Sequence, residues 1–167
     1  IGSISKQFTA AVLLLLAEEG RVSLDDKVGH WFPELTRAGD ITVRELLSMT
    51  SGYQDFWPQD YVMPMMLKPV APLEIGERWG KIPLDFEPGA KWQYSNTNYV
   101  IAGLIVEKVT GEPCFASMRK RILEPLQMQS AIDADETALG PKDAERYLRH
   151  AGGPLRRNAH HRAIFVL

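Results

Sequence analysis

A serine and a lysine stand three residues apart, at Ser3 and Lys6, at the start of a segment that reads as a helix. That spacing puts hydroxyl and amine on one helix face. A neutral lysine placed there can take the serine proton, and the helix N-terminus favours the negative charge that develops on attack. Alone, the pattern discriminates weakly. With 8 Ser and 8 Lys in 167 residues, chance supplies about 0.4 such pairs on ordinary usage. A second pair does occur, at Ser117 and Lys120. It falls inside an expected helix, where no free backbone N–H stands beside the hydroxyl to hold an oxyanion, so it is set aside.

Tyr94 and Asn96 add a second element. In an extended segment the two-residue period points both to the same side, so a phenol and a carboxamide can enter one site. The alternative is a core tyrosine beside a helix-capping asparagine. With 5 Tyr and 3 Asn, chance yields about 0.09 Tyr-x-Asn pairs. Both motifs in this order are harder to reach by accident than either alone. The adjacent His160 and His161 make poor geometry for two metal ligands on one regular element. Cys114, the only cysteine, reads as an apolar filler and excludes a disulfide scaffold.

The elements that must position these residues follow from periodicity and punctuation. Residues 3–19 read as a helix closed by Gly20. The apolar run at 10–17 is too short to span a bilayer and lacks a small-residue cleavage site, so it reads as buried helix, not as a signal peptide or transmembrane segment. Thr42 with Glu45 predicts a capping box and a short helix stopping near Ser51 and Gly52. Residues 53–90 hold six of the eleven prolines and read as an irregular lobe with at most short helices, a candidate pocket wall. Tyr53, Trp57 and Trp79 in that lobe read as core aromatics, with pocket lining as the alternative. Residues 91–96 read as extended, and a helix follows up to Gly111. Pro113 opens another that Pro125 ends, and Pro141 opens a last one through Arg149. The fold class read from this pattern is mainly α, without the alternating strands that build a sheet.

Composition is that of an ordinary globular domain, 45% hydrophobic and 24% charged. The net charge of −2 offers no field for nucleic acid. Residues 142–167 are a small basic block with 6 Lys or Arg against 2 acids. The expected division is therefore one helical region over 1–150 and a divergent basic tail over 151–167, that tail being either true divergence or the product of a reading-frame change.

Beyond the two motifs, the stretches GSISKQFT (2–9), GRVSLDDKV (20–28), ITVRELLSMTSG (41–52), PGAKWQYSNTNY (88–99) and the run 103–128 resemble the serine β-lactamase-like superfamily. The nearest branch is class C β-lactamases, D-alanyl-D-alanine carboxypeptidases and related esterases. The resemblance implies that Ser3 is the acylated nucleophile with its backbone N–H as an oxyanion donor, and that Lys6 is its proton partner. It implies that Tyr94 relays the proton to the leaving group and that Asn96 bonds the substrate amide or Lys6. It implies a small-molecule or peptide substrate and no metal or organic cofactor. The family's third motif, Lys-Thr-Gly or His-x-Gly on a late strand, has two poor candidates, Lys108 with Thr110 and Gly111, and His150 with Gly152. The chain is accordingly expected to be the helical part of the α/β fold, truncated at both ends with most sheet strands absent. On that basis self-association or a complementing chain is expected to cover the apolar helix, with residues 163–167 as a substitute strand. The rival to a hydrolase is a catalytically silent chain that binds a ligand or a partner protein.

Overall fold

The computed structural model describes residues 2–57, 70–133, 147–148 and 156–157. A 3-10 turn over Gly2–Ile4 leads into α1 (Ser5–Glu18). There follow α2 (Val43–Leu47), α3 (Pro72–Gly80), α4 (Asn96–Thr110) and α5 (Cys114–Met118), the last continued by a π-helical turn over Arg119–Leu123.

The centre of the described residues is α4, not the helix with the longest apolar run. Every residue from Thr97 to Val106 is buried, as befits a helix covered on all sides, and α1, α2, α3 and α5 all pack against it. In α1 the buried side chains are Thr9, Val12, Leu13 and Leu16, while Leu14 is 48% exposed. The 3.6-residue period turns Leu14 away from the stripe that meets α4. Each fully buried Leu, Ile or Val in this core contributes about 1.5–3 kcal/mol relative to exposure.

Local signals terminate the elements. At the start of α2, Thr42 and Glu45 form the expected box: the Glu45 amide donates to Thr42 Oγ1 at 3.1 Å, and the Thr42 amide donates to Glu45 Oε2 at 2.7 Å. α4 ends at Gly111, whose left-handed φ of 76° lets its N–H return to the Glu107 carbonyl at 2.8 Å. Pro113 caps α5 from outside, with an extended backbone, and does not occupy its first turn.

Strands replace part of the helix expected through residue 149. β1 (Tyr147–Leu148) pairs antiparallel with β2 (Arg156–Arg157), Tyr147 opposite Arg157 and Leu148 opposite Arg156. Pro141 before this stretch and Gly152 with Gly153 after Arg149 mimic helix punctuation in the sequence, whereas strand pairing is fixed by a partner segment that periodicity does not reveal. Residues 163–167, His150, His160 and His161 lie outside the described residues.

The segment from Ser48 to Trp57, after α2, forms a saddle over the N-terminus of α4. Gly52 sits in it at φ 87°, its carbonyl accepting from the Asp85 amide at 2.9 Å. A Cβ there would run into the Phe86 carbonyl oxygen. Gly52→Ala is therefore expected to cost about 3 kcal/mol, strain and clash together. Urea unfolding measures it, and a loss below about 1 kcal/mol would show that the saddle is not built around this glycine.

Candidate active site

Two separate stretches of chain bring the four expected residues together. Ser3 sits on the 3-10 turn and Lys6 one turn further on, in α1. The intervening Ser5 hydroxyl donates to the Gly2 carbonyl at 2.8 Å, which ties down the turn carrying Ser3. The stretch before α4 carries Tyr94. Its course is held by the Gln93 amide donating to the Met49 carbonyl at 3.0 Å and the Ser95 amide donating to Met49 Sδ at 3.4 Å. Met49 itself adopts a left-handed φ of 61°. Asn96 is the first residue of α4. Of the stretch 91–96 read as extended, Ser95 has an extended backbone, whereas Asn96 already belongs to the helix.

The four expected residues meet. Ser3 Oγ and Tyr94 Oη stand 2.6 Å apart, a short O–H···O contact. Lys6 Nζ donates to Asn96 Oδ1 at 2.8 Å and reaches Ser3 Oγ at 3.4 Å. Tyr94 Oη also donates to Asn96 Oδ1 at 3.2 Å. The rings of Tyr94 and Tyr99 flank the Lys6 side chain, their centroids 5.4 and 5.7 Å from Nζ. Tyr99 donates its hydroxyl to the Leu47 carbonyl at 3.0 Å, and burial, with the neighbouring Tyr94 as a lesser cause, raises that hydroxyl above the usual phenol range. Ser3 is exposed, while Lys6, Tyr94 and Asn96 are half-buried. A hydroxyl open to solvent, backed by an amine and a phenol, can attack a carbonyl and hand on its proton.

Sequence reasoning missed a fifth residue, Asp55. Its carboxylate accepts from the Asn96 backbone amide at 2.9 Å and from Asn96 Nδ2 at 3.1 and 3.2 Å. It also accepts from the Trp57 amide at 3.1 Å, two residues on. That last bond is the signal a sequence could have offered, an Asp that turns the chain onto its own backbone, but nothing local tells which helix it serves.

Other singled-out residues fall elsewhere. Ser117 is buried and donates to Glu112 Oε1 at 2.8 Å, with Lys120 exposed, so this pair forms no site. Lys108, Thr110 and Gly111 lie at the far end of α4, a helix length of about 20 Å from Asn96. Thr110 Oγ1 donates back to the Val106 carbonyl at 2.8 Å. Tyr53 is buried and donates to the Thr36 carbonyl at 3.1 Å, while Trp57 and Trp79 pack half-buried against the core. Burial, with Glu107 as the lesser cause, pushes the Cys114 thiol up to about 12. Among the described residues no three His, Cys, Asp or Glu side chains are grouped to hold a metal ion, and no helix is long and apolar enough to cross a membrane.

Known proteins share this arrangement of chain. The family model described as Beta-lactamase matches residues 1–164. Penicillin-binding protein 4* of Bacillus subtilis (strain 168) is 36% identical over 113 residues, covering 66% of this chain and 25% of that protein. The solved structure of a D-stereospecific amidohydrolase from Streptomyces sp. superposes with a TM-score of 0.83 at 34% identity, covering 96% of this chain and 52% of that one. That of D-amino acid amidase from Ochrobactrum anthropi SV3 gives 0.70 at 39% identity, covering 77% and 36%. The chain thus spans about a quarter of the curated relative and about half or less of the solved ones.

These superpositions correct the fold class. The solved relatives have the full α/β fold, and this chain follows one of them over 96% of its length. The class is α/β, not mainly α. The mainly α reading arose because helices announce themselves through local periodicity and caps, whereas a sheet is assembled from segments distant in sequence.

Proposed function

Because the chain belongs to the beta-lactamase family, we propose that the Ser3 site hydrolyses an amide through an acyl-enzyme. The observation that carries this reading is the 2.6 Å contact of Ser3 Oγ with Tyr94 Oη, with Lys6 Nζ beside both. Ser3 Oγ attacks the substrate carbonyl carbon and forms a C–O bond. Its proton passes to Tyr94 Oη, the nearer partner, which reacts as the phenolate with the Lys6 amine beside it. The tetrahedral oxyanion is held by the Ser3 backbone N–H, a kind of contact whose removal costs about 2.7–4 kcal/mol in other hydrolases. The C–N bond then breaks, and the leaving amine takes its proton from Tyr94. Water repeats the sequence on the ester, releasing the acid and returning the proton to Ser3. Lys6, bonded to Asn96 Oδ1, keeps its place through both halves.

For substrate class we propose amides of D-amino acids or of peptides that end in them, supported by the D-specific solved relatives. The test is a panel of D- and L-phenylalaninamide, nitrocefin and p-nitrophenyl acetate. A D-over-L preference of about 10- to 200-fold in kcat/KM is expected, the range a well-fitted pocket supplies. Equal rates on both enantiomers, or nitrocefin outrunning every amide, would contradict the assignment.

A further inference from the structure

We propose that Asp55 is a positioning residue: its carboxylate holds the Asn96 carboxamide so that the carbonyl oxygen, and not the NH2, faces Lys6 and Tyr94. The proposal builds on the acyl-transfer reading of the Ser3 site. A carboxamide has an acceptor end and a donor end of nearly the same shape, and its neighbours decide which way it points. Turned the other way, Asn96 would set two N–H donors against the Lys6 amine and the Tyr94 hydroxyl. Lys6 would lose its 2.8 Å acceptor and with it the tether that keeps Nζ near Ser3.

Asp55 decides the orientation because it accepts from both nitrogens of Asn96, Nδ2 at 3.1 and 3.2 Å and the backbone amide at 2.9 Å. It is itself clamped. Its Oδ1 accepts from the Trp57 amide at 3.1 Å. The residues on either side of it are bonded to Thr97, whose hydroxyl donates to the Gln54 carbonyl at 2.6 Å and accepts from the Phe56 amide at 3.1 Å. The saddle is pinned once more where Ser51 Oγ donates to Asn98 Oδ1 at 2.5 Å. Asp55 also does what the residue at the head of α4 does not. Ser95 makes no side-chain cap, and its buried hydroxyl has no partner among the described residues, so the first amide of the helix is capped by a carboxylate from 41 residues earlier, a charge the helix N-terminus favours.

The test compares wild type with Asp55→Asn, which keeps the shape but cannot accept from both nitrogens with two oxygens, with Asn96→Ala, and with the double variant, on D-phenylalaninamide and p-nitrophenyl acetate. Asp55→Asn is expected to lower kcat about 10- to 100-fold, as loss of hydrogen bonds to a charged group does, with KM nearly unchanged. In the Asn96→Ala background it is expected to add nothing, since its effect runs through Asn96. A wild-type kcat in Asp55→Asn, or a penalty that adds in full to that of Asn96→Ala, would overturn the proposal. An activity-independent readout is the side-chain 15N–1H signal of Asn96. In the wild type its protons are expected to exchange with solvent at least about tenfold more slowly than those of an exposed asparagine, and fast exchange would overturn the proposal even if Asp55→Asn failed to fold. If the wild type proved inactive, the acyl-transfer reading would fall while this signal still decided the orientation of Asn96.

Discussion

Ser3→Ala is expected to lower turnover of amide and ester substrates by about 10,000-fold or more, with little change in substrate binding. The hydroxyl lies on the 3-10 turn before α1, exposed to solvent and 2.6 Å from the Tyr94 hydroxyl. Ser5 is turned back onto the Gly2 carbonyl, and Ser117 is buried against Glu112. Neither can substitute. What survives in Ser3→Ala is the catalysis that binding and the oxyanion donor give without a nucleophile. The fold should be untouched, because an exposed hydroxyl contributes little to stability. Steady-state kinetics beside a thermal melt separates the two. A variant that keeps more than about a tenth of wild-type kcat would remove Ser3 from the mechanism.

The second large effect belongs to the pair that handles the proton. Tyr94→Phe keeps the ring over Lys6 and deletes the oxygen that stands 2.6 Å from Ser3 and 3.2 Å from Asn96. Lys6→Met keeps the aliphatic stem and deletes the amine. Each is expected to lower kcat by about 100- to 10,000-fold, the usual range for a positioned acid or base, and to leave KM within a few-fold. The double variant should be scarcely worse than the poorer single one, because the two groups serve one proton. Full additivity would mean that Lys6 and Tyr94 work on separate steps. Single-turnover kinetics on p-nitrophenyl acetate resolves acylation from hydrolysis of the ester and locates each loss.

How much of this could be read from the sequence depends on how local each cause is. Ser3 with Lys6, and Tyr94 with Asn96, are short spacings whose geometry follows from a helix turn or an extended step, and the structure brings all four within one hydrogen-bonded group. The Thr42–Glu45 box and the stop at Gly111 were legible for the same reason. Asp55 was not, since the bond that matters joins it to a helix 41 residues away and only the fold of the saddle makes it. Met49 was equally silent, because a left-handed methionine whose sulfur accepts the Ser95 amide has no sequence signature. The same limit produced the error in fold class. The centrality of α4 was hidden too, since its buried stretch includes Thr97, Asn98 and Tyr99, polar residues that are satisfied by tertiary bonds. The β1–β2 pair, only two residues on each strand, gave no alternation to read.

The central claim is that Ser3 becomes covalently acylated, and intact mass spectrometry with peptide mapping tests it most directly. The protein is incubated with a β-lactam or an activated ester, quenched in acid within the first turnovers, and digested. The account predicts one added acyl group per chain, located on Ser3, absent from Ser3→Ala and slower to form in Tyr94→Phe and Lys6→Met. An unmodified wild-type chain under conditions where substrate is consumed, or a label that survives Ser3→Ala, would contradict it.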